Sequence, residues 1–138
     1  RGTYIFDDVK IVHDYGKSMS EGIDLGQVEG GLVQGIGWMT MEEIAYDTNG
    51  RLLSNALSTY KIPDIFSVPK NIEVIPVETV GNDMAILKSK AVGEPPLMYG
   101  IGSYFAIQNA IKAFNSSYKL KFHAPMTPEK VLMSLYEK

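Results

Sequence analysis

The sequence predicts an α+β fold in which two long helices pack on a small mixed β-sheet. Three observations carry that reading. Residues 4–12 alternate apolar and polar side chains, the period of a half-buried strand. Residues 24–46 and 95–114 are long and apolar enough for helices of several turns. Between them the chain is punctuated by turn residues such as Asn49-Gly50. A chain of 138 residues with 45% apolar content builds one core, so residues 1–138 are read as a single domain.

Taken in order, residues 4–12 place Ile5, Val9 and Ile11 on one side and Asp8 and Lys10 on the other. The chain enters this strand almost at once from Arg1, so the strand is expected to pair with one upstream, in a longer polypeptide. Residues 15–22 read as a loop. Asp24, with Gln27 three positions on, makes a capping-box pattern, and the helix it opens is expected to reach about Tyr46. That helix carries Gly26, Gly30, Gly31, Gly35 and Gly37, each costing roughly 1 kcal/mol against Ala in a helix interior. Glycines four apart clear a strip where another backbone or a bulky ligand can come close, and helix packing is the commoner reason. Trp38, Met39, Met41 and Ile44 are expected in the core.

Asn49-Gly50 marks a tight hairpin turn. Residues 59–63 read as a short extended segment, and residues 72–78 as an edge strand interrupted by Pro76. A Gly81-Asn82-Asp83 turn leads to a further strand over residues 84–88. In the second helix, Leu97, Ile101, Tyr104, Phe105, Ile107, Ile111 and Phe114 wrap most of the circumference, which predicts a central, buried helix. A short strand over residues 119–122 precedes Thr127-Pro128-Glu129, a cap, a proline at the first helical position and an acid in the first turn of a last helix.

Composition narrows the chemistry. Formal charge is −3 with scattered basic residues, which leaves no nucleic-acid footprint. No apolar run is long enough for a bilayer and no basic-then-apolar leader opens the chain, so no membrane partner and a cytoplasmic location are expected. Without cysteine the chain has no disulfide, thiolate zinc site, iron–sulfur ligand or thiol nucleophile. His13 and His123 are isolated and read as surface or satisfied core residues. Glu29, Glu42 and Glu43 are expected to face solvent or form ion pairs. The glycines match neither a Walker nor a dinucleotide fingerprint.

The segment Lys90-Ala91-Val92-Gly93-Glu94-Pro95-Pro96-Leu97 holds a carboxylate at a helix mouth between a flexible residue and two rigid ones. By itself such a glutamate is a cap or a solvated charge. It is preceded by Asp24-Leu25-Gly26-Gln27-Val28-Glu29-Gly30-Gly31-Leu32-Val33-Gln34-Gly35-Ile36-Gly37, then Glu42-Glu43, then Ser58-Thr59-Tyr60-Lys61-Ile62-Pro63. This ordered set resembles the xanthine dehydrogenase and aldehyde oxidase family of molybdenum hydroxylases. The resemblance runs over about residues 4–131 and is to the C-terminal part of the large molybdopterin-binding subunit or domain.

The resemblance implies a parent oxidoreductase that hydroxylates a purine-type heterocycle, or an aldehyde, with oxygen from water. It implies Glu94 as general base, a role that suits a carboxylate buried beside an apolar helix. It puts Gln27 in a hydrogen bond to the molybdenum–molybdopterin cofactor and Gly93 where the chain passes close to the metal centre. The metal is held by the pterin, so no protein ligand to it is expected. The implied partners are the remainder of the large subunit, iron–sulfur and FAD subunits or domains, and a small-molecule substrate. The fragment alone is expected to be inactive. Residues 58–63 resemble the xanthine dehydrogenases more than the carbon monoxide dehydrogenases; purine and aldehyde enzymes share this run, and of the two substrate classes purines are preferred. Two other readings stay open: a free-standing, non-catalytic α+β binding or scaffold module derived from that family, and an unrelated enzyme using Glu94 as a simple acid or base. For Gln27 the other reading is the capping box with Asp24.

Overall fold

The computed structural model describes residues 1–77 and 85–137. They form β1 (Asp8–His13), α1 (Glu21–Thr40), β2 (Asn71–Pro76), α2 (Ile101–Phe114) and α3 (Pro128–Tyr136), with 3-10 segments at Ile86–Lys88 and Pro95–Gly100. This is an α+β fold: two long helices against a small sheet.

The predicted first strand forms, but its partner lies within the chain. β1 and β2 pair in parallel, from Asp8 opposite Asn71 to His13 opposite Pro76. The Asn71 N–H donates to the Asp7 carbonyl and the Val77 N–H to the His13 carbonyl. Main-chain groups of a strand point alternately to its two edges, so the odd-numbered residues of β1 bond to β2. By the same alternation Pro76 faces away from β1, and its missing N–H costs the ladder nothing. Ile11 is buried and packs with Val28, Leu32 and Ile36 of α1, while Lys10 pairs with Glu73 across the outer face.

Helix α1 begins at Glu21, ahead of the expected start. Ser20 sits at its mouth in extended conformation with no side-chain capping bond. Asp24 accepts from the Ser18 hydroxyl at 2.6 Å, and with Glu21 it places negative charge in the first turn, where the helix dipole favours it. The Asp24–Gln27 capping box therefore does not form, because Gln27 is already well inside the helix. At the other end, Thr40 bonds back to the Ile36 carbonyl at 2.7 Å and the N–H groups of Met41 and Glu42 both reach Gly37. That closure stops the helix short of Tyr46. Trp38 and Ile44 are 49% and 60% exposed, so the expectation that they fill the core does not hold.

The second core gathers Tyr104, Ile107 and Ile111 of α2 with Tyr118, Met126 and Val131. Phe105 and Phe114 lie outside it, 49% and 66% exposed, so α2 is one-sided rather than buried all round. Residues 119–122 form no strand. They are held instead by Tyr104 and Gln108, both donating to the Lys121 carbonyl. Gln108 is fully buried and also accepts from the Tyr118 hydroxyl at 2.8 Å. Thr127 caps α3 by accepting from the Lys130 N–H, as predicted.

The hairpin is present: Tyr46 and Leu52 bridge antiparallel, and Gly50 takes φ 80°, which suits a residue without a Cβ. Residues 56–60 turn rather than extend, with the Thr59 and Tyr60 N–H groups on the Ala56 carbonyl. Ile86–Lys88 is a 3-10 turn, not a strand. The Gly81-Asn82-Asp83 turn and Met84 lie outside the described residues, as does the end of the strand expected over 72–78.

Candidate functional site

The site is built on a seam between α1 and the 3-10 segment Pro95–Gly100. A Cβ on Gly31 would come 2.8 Å from the Cβ of Pro96, and one on Gly35 would strike the Leu97 carbonyl and come 3.0 Å from the Gly100 Cα. Gly31 thus faces Pro96 and Gly35 faces Gly100, so the two segments run side by side in the same direction. Rises of about 2.0 Å per residue in a 3-10 helix and 1.5 Å in an α-helix place Glu94 ~4 Å before Pro96, level with roughly the second or third residue before Gly31. Gln27 stands one turn before Gly31 on the same side of α1. Two side chains 67 positions apart in sequence therefore flank one end of the seam.

Glu94 immediately precedes Pro95, with φ −71° and ψ −25° and no side-chain capping bond. The chemistry of its neighbours explains this. Pro95 and Pro96 have no N–H, and the next one, on Leu97, is already taken by the main-chain carbonyl of Glu94 at 2.9 Å. No donor is left for the carboxylate to cap. Glu94 and Gln27 are both exposed, and neither side chain bonds a described residue. The burial expected for Glu94 is not supplied by the described residues.

Glycine is used in two ways along α1. Gly31 and Gly35 admit the neighbouring backbone. A Cβ on Gly22, Gly26 or Gly30 would meet nothing within 4 Å, and the same holds for Gly93. Each of these helical glycines costs roughly 1 kcal/mol against alanine, and no packing within the described residues offsets it. The open strip lies beside Gln27, whose amide both donates and accepts. A bare helix surface edged by a free amide and a free carboxylate fits a bulky polar group laid against α1, such as a pterin cofactor.

The sequence model of the molybdopterin cofactor-binding domain matches residues 1–69, half of the chain. The chain belongs to that family. Among relatives of this molybdopterin-binding family, xanthine dehydrogenase/oxidase of Rattus norvegicus is 44% identical over 127 residues, 88% of this chain and 10% of the relative. Xanthine dehydrogenase of Oryza sativa subsp. japonica is 39% identical over 137 residues, 91% of this chain and 10% of the relative. Among solved structures, quinoline 2-oxidoreductase from Pseudomonas putida 86 superposes with a TM-score of 0.80 at 28% identity, covering 96% of this chain and 16% of the other. Aldehyde oxidoreductase from Desulfovibrio desulfuricans gives 0.75 at 31% identity, covering 96% and 14%. The chain spans about a tenth of the length of the xanthine dehydrogenases it matches.

Within this molybdopterin-binding fold the remaining polar residues have structural surroundings. Tyr60 donates to Glu42, and that bond holds its phenol proton above the ordinary range. Pro63 packs where a Cβ on Gly37 would be, so residues 58–63 close the C-terminal end of α1. Glu43 pairs with Lys130 at 2.9 Å, as expected of it, and Glu29 is exposed. Burial, with Lys130 and Lys121 adding to it, lowers the pKa of His123. His13 is buried, its Nδ1 lies 2.6 Å from the Tyr99 hydroxyl, and its Nε2 has no partner among the described residues. The pairing with Tyr99, which ties the 3-10 segment to β1, was not foreseen. Its one sequence signal was a histidine at an inward-facing strand position. No helix of the described residues is long and apolar enough to cross a membrane.

Proposed function

We propose that this chain is one part of the cofactor-binding domain of a larger molybdenum hydroxylase of xanthine dehydrogenase type, acting on a purine-type heterocycle, with Glu94 as general base. The observation that carries the reading is the Glu94 carboxylate, held at a helix mouth where no donor remains to be capped. The molybdenum–pterin group, when bound, supplies oxidation of a substrate C–H bond with oxygen drawn from water. Gln27 would hydrogen-bond that group through its amide, and the open glycines of α1, with Gly93, would let it approach the backbone. Glu94 would accept, at a carboxylate oxygen, the proton released from the water-derived oxygen that the group delivers to carbon. Pro95 and Pro96 stiffen the chain that aims it, and Pro96 seated on Gly31 locks that stretch to α1. The remainder of the polypeptide buries the carboxylate, and iron–sulfur and FAD modules carry electrons away.

The test is Glu94→Gln in the intact enzyme. The amide keeps the shape and removes the base, so turnover is expected to fall by about 10²–10⁴-fold with molybdenum content unchanged. A parallel loss of molybdenum would assign Glu94 a structural role instead. Purine is favoured over aldehyde by xanthine dehydrogenase relatives at 38–44% identity over most of this chain. Comparing turnover of a purine and an aromatic aldehyde by the same preparation tests that preference.

A further inference from the structure

We propose that Tyr99 and His13 are positioning residues for Glu94: the bond between them fixes the orientation of the segment that carries the carboxylate. The proposal rests on the reading of Glu94 as general base.

Glu94 sits at the mouth of the 3-10 segment Pro95–Gly100, and Tyr99 stands five positions on, inside the same segment. At about 2.0 Å of rise per residue they lie roughly 10 Å apart along one short rod. The rod is stiff at the end that matters, because Pro95 and Pro96 have fixed φ and the Leu97 N–H donates to the Glu94 carbonyl at 2.9 Å. A displacement of the rod is therefore passed on to Glu94 rather than absorbed.

The supports of that rod decide how it can move. Along α1 it rests on two glycines, with Pro96 against Gly31 and Leu97 and Gly100 against Gly35. Contacts strung along one helix hold the distance to α1, yet leave the rod free to roll about the line they make. A roll swings the residue at the mouth. Toward β1, a cleft of about 380 Å³ separates Tyr99, Gly102 and Ser103 from residues 8–12. Tyr99 bridges to the strand at one end of that gap. Its hydroxyl lies 2.6 Å from His13 Nδ1, hydrogen-bond distance in either tautomer, and the two rings meet edge to face at 5.7 Å and 87°. A third support, off the line of the first two, is what stops a roll.

The residue at the β1 end is an unusual choice for anything but a tie. His13 shares the inward face of the strand with Ile11, where an aliphatic side chain would pack as well. The chain instead buries an imidazole to 8% exposure with its Nε2 unmatched among the described residues, which is unfavourable. Tyr15, itself buried, lies beside the ring at 6.0 Å between centroids and helps to hold it in place. A local rule broken with no local gain is characteristic of places where function needs a fixed geometry.

The test is steady-state kinetics of the intact enzyme, with kcat expressed per bound molybdenum so that a variant that merely loads poorly shows no fall. Tyr99→Phe keeps the ring and removes the bond, and kcat is expected to fall about tenfold to a hundredfold with KM unchanged. His13→Leu should reproduce that loss, whereas His13→Asn, which keeps a polar atom near the place of Nδ1, should recover most of it. In enzyme already carrying Glu94→Gln, Tyr99→Phe should lower the residual rate no further, because there is no base left to orient. An undiminished kcat in Tyr99→Phe, where Glu94→Gln alone collapses turnover, overturns the positioning role and leaves the general base standing. An equal fall with and without the Glu94 carboxylate, or a rise in KM alone, also overturns it. Full turnover in Glu94→Gln overturns both readings. Should Tyr99→Phe fail to accumulate, His13→Asn and His13→Leu decide alone, and equal kcat in the two overturns the tie.

Discussion

Gly35 and Gly30 lie in one helix and are expected to respond oppositely to the same substitution. Gly35→Ala drives a Cβ into the Leu97 carbonyl, an overlap between two backbones that neither can relieve by changing rotamer. Unfolding by urea should show a loss of about 1–3 kcal/mol or more. Gly30→Ala meets open space and should raise stability by up to ~1 kcal/mol through helix propensity alone. If the open strip receives the cofactor, Gly30→Ala in the intact enzyme should also lower molybdenum content, while the isolated chain shows only the stability gain. Glu94 belongs to this scale too. That it caps nothing follows from two prolines and one occupied N–H, and the prolines are visible in the sequence. Its exposure is not, because exposure depends on what else comes to lie over it.

At the scale of elements, helices were more legible than strands. The periodicity behind α1, α2 and α3 reflects bonds each helix makes within itself, so it survives without knowledge of neighbours. Residues 86–88 and 119–122 look β-like, yet the first run turns through left-handed angles at Leu87 and Lys88, and neither builds a ladder among the described residues. What replaces a strand at 119–122 is a buried polar hub that periodicity could not announce. Gln108 reads as one more helical residue until Tyr118 and Lys121 are brought against it. Gln108→Leu keeps the volume and leaves the Tyr118 hydroxyl without its acceptor, while the Lys121 carbonyl keeps its bond from Tyr104, and is expected to cost about 1–3 kcal/mol. Thermal unfolding measures this, and adding Tyr118→Phe to the leucine variant should recover part of the loss by removing one orphaned group.

For the whole molecule, large apolar side chains left in water bear on what the chain can do alone. Phe66, Leu57 and Ile65 are 92%, 87% and 78% exposed, uncovered by the described residues. A cofactor lying on the open strip of α1 would have protein on one side only. The purified chain is therefore expected to hold no stoichiometric molybdenum and to turn over neither purine nor aldehyde. Metal analysis of the isolated chain checks this, and a molar equivalent of bound molybdenum would overturn it.

The sequence by itself determined the helices, the Asn49-Gly50 hairpin, the Thr127 cap and the ordered motifs that carry the family. All of these depend on residues a few positions apart, whose geometry is set by local main-chain bonding and rotamer limits. That β1 pairs with β2, and that Gly31 and Gly35 serve the backbone around Pro96 while Gly26 and Gly30 stand open, came from the folded chain alone. Those facts depend on which surfaces meet across many tens of residues. That choice is made by the burial of apolar area and the pairing of main-chain groups over the whole chain, terms that no local window of sequence contains.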